Sequence, residues 1–77
     1  MEKREYKFNF EVFKEKKDNN GNWCYVIGTT EDYKTQYGAE AYATGLKFLL
    51  KPDERFRIMD KNTGETIKIV GGNNEKL

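Results

Sequence analysis

The chain has 77 residues, with 14 basic side chains, 13 acidic ones and no histidine, so its formal net charge is only +1. One domain of this size sits near the lower limit for folding without a metal or disulfide staple. The near-neutral balance argues against a strongly basic nucleic-acid binder and against an acidic DNA mimic, and the single cysteine, Cys24, rules out an intramolecular disulfide.

The first patterned segment, "EYKFNFEVF" (5–13), alternates cleanly. Tyr6, Phe8, Phe10 and Val12 fall on one side, and Lys7, Asn9 and Glu11 on the other, which is the period of a half-buried strand. A charged run then ends in Asn20-Gly21, a hairpin signal because both residues tolerate positive φ. "WCYVIGT" (23–29) reads as the second strand, with Trp23, Tyr25 and Ile27 on one side and Cys24, Val26 and Gly28 on the other. Pairing Val12 with either Ile27 or Tyr25 keeps the aromatic residues on one face. A two-residue turn instead opposes Val12 to Thr29 and strands Tyr6 to Phe10 beyond their partner. A longer hairpin loop, or a first strand that outruns the second, is therefore expected.

"KTQYGAEAYATGLKFLL" (34–50) is the helix. Thr29, Thr30 or Thr35 is the candidate cap, Glu31 and Asp32 suit an early first turn, and Pro52 sets the far end near Lys51. At about 100° per residue, Gly38, Ala41, Tyr42, Gly45, Leu46 and Leu49 share one arc. The glycines on that arc are expected to let the helix approach a sheet crowded with rings. Tyr33, Tyr37, Thr44 and Phe48 form a neighbouring row, not needed to cover the middle of the sheet.

The last third holds two more alternating runs, "RFRIMD" (55–60) and "ETIKIV" (65–70). A four-residue loop, Lys61 to Gly64, places Ile58 opposite Ile67 and Phe56 opposite Ile69. The tail "GGNNEKL" (71–77) is expected to fray, leaving one domain with an ordered core over residues 4–70. The fold expected is α+β with the order ββαββ: a four-stranded, mainly antiparallel sheet with one helix packed on one face. Strand order stays open. The core is expected around Tyr6, Phe8, Phe10, Trp23, Tyr25 and Phe56.

Function is read by exclusion and then by surface. Without histidine the commonest general base and metal ligand is missing, and a lone cysteine lacks its usual activating partner. No phosphate-cradling glycine motif occurs, so no enzymatic activity, metal or cofactor is expected. "MEKREYKF" has no signal-peptide apolar region and no run is long enough to span a bilayer, so the expected setting is cytoplasmic, without membrane contact. The layout, with its Gly21-x-Trp23 lead-in to the second strand and a glycine hairpin near the end, is similar to that of small uncharacterised bacterial and phage domains. That resemblance implies an accessory role.

The leading expectation is a non-catalytic protein-interaction module, an inhibitor or accessory factor that works by binding a partner protein through Tyr33, Tyr37 and Phe48. Large rings with few torsions suit such a surface. One alternative is nucleic-acid binding through Arg55, Arg57, Lys68 and Lys7 on the sheet face away from the helix. The other is self-association, as a homodimer, through that face or a sheet edge.

Overall fold

The structure, a computed structural model, describes residues 8–72. It has the expected architecture, an antiparallel sheet with one helix packed on it. Strand β1 (Phe10–Lys17) is central, flanked on one side by β4 (Glu54–Asp60) and then β5 (Thr66–Gly71). Its other side is shared by two short strands, β2 (Trp23–Tyr25) and β3 (Glu31–Tyr33). Helix α1 (Gln36–Leu46) follows β3 and tightens into a 3₁₀ turn at Lys47–Leu49. Thr35 is the cap that forms, its hydroxyl accepting the Gly38 N–H at 3.0 Å.

The expected second strand therefore splits in two. Gly28, at φ +86, turns the chain away from β1 after Tyr25. The ladder is patched across the gap: Val26 N–H donates to the Lys14 carbonyl, and Lys14 N–H donates to the Thr29 hydroxyl, both at 3.0 Å. That hydroxyl in turn donates to the Val26 carbonyl at 2.7 Å. A side chain thus supplies the acceptor that a continuous strand would have offered.

The hairpin loop is longer than a two-residue turn, as expected, and spans residues 18–22. Asp18 organises it, its Oδ1 accepting the N–H groups of Asn20 at 2.8 Å and Asn22 at 2.9 Å. These backbone hydrogen bonds, Asn22 foremost, hold the Asp18 carboxyl below its ordinary range. The resulting register pairs Tyr25 with Glu15 and Trp23 with Lys17. That is one residue away from the expected parity, and the consequence is large. Trp23 and Tyr25 leave the helix side and join Glu11, Phe13, Glu15 and Lys17 on the opposite face.

The last hairpin shows the same physics. Asp60 N–H donates to the Glu65 carbonyl and Met59 pairs with Thr66, which is the register of the expected four-residue loop. A bulge next to Met59 then slips the ladder by one residue, so that Ile58 pairs with Lys68 and Phe56 with Val70. Ile67 still packs on the core, as expected, while Val70 turns inward and Ile69 turns out. The strand also runs on through Gly71, and Gly72 is buried, so the expected fraying does not begin at residue 71. Gly71 holds φ +93, and a Cβ there would lie 2.5 Å from Leu50 Cδ1, so a side chain would strain the backbone and displace that leucine.

The core lies between α1 and the sheet. Val12, Ile58, Phe56 and Val70 form its sheet side, with Ala39 and Ala43 fully buried beneath the helix. Tyr33, Tyr42 and Leu46 close its margins, with Tyr42 5.5 Å from Tyr33 and 5.9 Å from Phe56 between ring centres. The small residues that bring the helix down are therefore the two alanines and, as expected, Gly38, where a Cβ would lie 3.3 Å from the Tyr33 ring. Ala41 and Gly45 face outward, and a Cβ on Gly45 would meet nothing within 4 Å. Of the expected aromatic core, Phe10 and Phe56 are in place, Phe8 is exposed, Trp23 and Tyr25 are on the far face, and Tyr6 lies outside the described residues.

Candidate functional site

The helix row proposed from sequence is not one surface. Tyr33 sits opposite Phe10 at the sheet margin and packs on Tyr42, where burial pushes its phenol pKa up. Tyr37 is 82% exposed at the start of the helix, and Phe48 is exposed in the 3₁₀ turn past its end. Ten residues lie between them, a rise of roughly 16 Å along the axis. Tyr33 seals the core, and only Tyr37 and Phe48 of the three are outward.

Phe48 stands next in sequence to Leu49, which lines a cleft. That cleft, of about 280 Å³, opens between the C-terminal end of α1 and the 26–30 loop. Tyr42, Leu46, Leu49, Leu50 and Phe56 give it an apolar lining, Gly28 and Thr29 form the loop wall, and Lys14 and Glu31 add one charge of each sign. Beside it in sequence stand the most exposed aliphatic side chains of the described residues, Ile27 at 87% and Leu49 at 62%, together with Phe48 at 79%. The geometry has clear local causes. Gly28 turns the loop out and lifts Ile27, and the approach to Pro52 unwinds the helix so that Phe48 and Leu49 project. Ile27 and Leu49 were read from sequence as core-facing, and no periodicity marks either as exposed, because each lies where its element has just ended.

The second surface is the sheet face away from α1, which no described element covers. Strand alternation places Glu11, Phe13, Glu15 and Lys17 of β1 there, beside Trp23 and Tyr25 of β2, Arg55, Arg57 and Met59 of β4, and Ile69 of β5. At its heart Arg55 Nε donates to Glu15 Oε1 at 2.7 Å, with both residues buried. Trp23 roofs the pair, its ring centre 4.2 Å from the Arg55 guanidinium carbon, and Lys17 Nζ approaches the same ring at 5.0 Å. Phe13 and Tyr25 meet edge to face at 5.4 Å.

The basic set read from sequence is divided by this arrangement. Arg55 is engaged by Glu15 under Trp23, and Arg57 Nε lies 3.4 Å from the other Glu15 oxygen. Lys68 is on the helix side, 3.7 Å from Glu40, and Lys7 lies outside the described residues. Arg57 retains one unmet demand, since its Nε is buried without a hydrogen-bond partner.

The remaining chemistry is sparse. Cys24 is exposed on the edge strand, with its thiol pKa pushed up by desolvation and by Asp18, which makes it a poor nucleophile. Among the described residues no group of three or more Cys, Asp or Glu side chains is placed to hold a metal ion, and no helix is long and apolar enough to cross a membrane. No family model matches the chain, and no curated protein and no solved structure matches it either.

Proposed function

We propose that the protein is a non-catalytic binding module that captures a segment of another protein in the cleft at the C-terminal end of α1. The observation that carries this reading is an apolar cleft lined in part by the exposed Leu49, with the exposed Ile27 and Phe48 adjacent in sequence to its lining residues Gly28 and Leu49. Grouped apolar side chains at a concave site mark interaction surfaces, whereas scattered ones need no explanation. At about 280 Å³ the cleft falls below the usual range of roughly 300–1,000 Å³ for small-molecule pockets. It suits one or two apolar side chains of a partner, held by flanking contacts. An inhibitor or accessory factor of phage or mobile-element type, acting in the cytoplasm, fits a small binder with an exposed free thiol. The nucleic-acid alternative has less support, since Arg55 and Arg57 share one carboxylate and Lys68 lies on the other side of the sheet.

The test is capture from extracts of the source cells by immobilised wild-type protein, Ile27→Asp and Leu49→Asp. All three should melt alike. A protein retained by the wild type and lost by both variants supports the reading; capture unchanged in both overturns it.

A further inference from the structure

We propose that the sheet face away from α1 binds a second copy of this chain, giving a face-to-face dimer with the two helices outermost. Around the Glu15–Arg55–Arg57 group that face carries apolar side chains that are partly exposed, with Tyr25 half exposed and Ile69, Phe13 and Met59 bordering Arg57. An open antiparallel face made of solvated residues would show polar side chains at these positions.

What singles out a second copy is the distribution of charge. Along β1 the face runs from Glu11 at one end to Lys17 at the other, since Arg55 is neutralised by Glu15 and Asp32 by Lys61. The two ends are of opposite sign. A two-fold axis lying between the faces and perpendicular to the strands turns the second copy end for end. Lys17 of each copy then lies over the Glu11 end of the other. A surface that is its own complement under a two-fold rotation satisfies the condition for an isologous dimer. Stacked sheets of this kind pack about 10 Å apart with nearly aligned strands.

The size of the face sets the strength. Four strands at about 4.8 Å spacing and five residues at about 3.3 Å rise give a footprint of roughly 300 Å² per copy. Side-chain relief raises the buried area, but the total stays under the roughly 1,200 Å² at which stable complexes begin. The dimer is therefore weak and reversible.

Sedimentation of the full chain from roughly 10 µM to 1 mM tests this. The expected result is a monomer–dimer equilibrium that weakens with salt. Glu11→Lys and Lys17→Glu should each weaken self-association at least about tenfold, because each sets like charges against each other. Mixing the two variants should restore dimers, since the two reversed ends again meet opposite charges. Ile69→Asp, which leaves the charged ends intact, should abolish association while the thermal melt stays cooperative. A monomer at every concentration overturns the proposal, as does a dimer indifferent to both charge variants or a mixture that fails to recover. Titration with oligo-dT provides the competing outcome: a chain that stays monomeric while dT perturbs Phe13 and Tyr25 assigns the face to nucleic acid instead.

Discussion

Glu15 and Arg55, forty residues apart in sequence, form a 2.7 Å ion pair on a sheet face that no element covers. The pair is shielded by Trp23 rather than by a second layer of structure. Removing one partner leaves a buried charge without its counterion, which generally costs about 3–5 kcal/mol. Glu15→Ala should therefore lower the denaturation free energy by about 3 kcal/mol, with Trp23 fluorescence reporting the loss of its roof position. A loss below about 1 kcal/mol would show that water screens the pair.

The helix is set on the sheet by Ala39 and Ala43, with Gly38 close against the Tyr33 ring, and not by Gly45. Ala43→Leu should cost about 1–3 kcal/mol through overpacking, while Ala41→Leu should be near neutral. Gly45→Ala should stabilise by about 0.5–1 kcal/mol, since its Cβ enters open space. Urea midpoints of the three variants decide the point. The reverse ranking would restore the arc through Gly38, Ala41 and Gly45.

Thr29 is expected to matter out of proportion to its exposure, because its hydroxyl both accepts the Lys14 N–H and donates to the Val26 carbonyl. Thr29→Val keeps the shape and removes both bonds, at an expected cost of about 1–3 kcal/mol. Thr29→Ser should recover most of it. Hydrogen exchange at the Lys14 amide should quicken in the valine variant alone, and unchanged exchange there would mean that the hydroxyl is not the working acceptor.

These three sites also mark where sequence reading succeeds and where it fails. The alternation over 10–13, a helical segment ending before Pro52, Thr35 among three candidate caps and the loop over 61–64 each follow from local chemistry, and each is present. But β1 spans Phe10–Lys17 and so runs on through the charged segment expected to be loop. Faces are different. A five-residue loop and one bulged residue each change a register by one, and a one-residue slip moves a whole set of side chains across the sheet. Nothing near Ile67 announces the bulge. Likewise, helical periodicity offered an arc through Gly38 and Gly45, while packing selected its neighbour through Ala39 and Ala43, because small residues lie on both. The cleft depends on the break at Gly28, and a glycine within an apolar run fits a strand, a bulge or a turn equally well.

Burial pushes the phenol groups of Tyr42 and Tyr33 up, with Tyr42 and Glu31 adding to the effect at Tyr33. A folded-state value above the unfolded one means that the associated stability is complete below about pH 10 and falls as pH rises through the folded value. Stability measured by denaturant from neutral pH upward should therefore decline above about pH 10. The decline should be shallower in Tyr42→Phe, whose ring packs without a titrating group. Parallel declines in the two proteins would place the alkaline sensitivity elsewhere.

The division of one edge between β2 and β3 leaves the segment between them outside both ladders. Its tip at Ile27-Gly28 can change in length or sequence while Thr29 keeps its place on Lys14. Lengthening a surface loop is thermodynamically mild, about 0.6 kcal/mol per doubling. The same segment walls the cleft, so a change at Ile27 reshapes the rim of that cleft while the sheet, the helix and the positive-φ turn at Gly28 stay fixed.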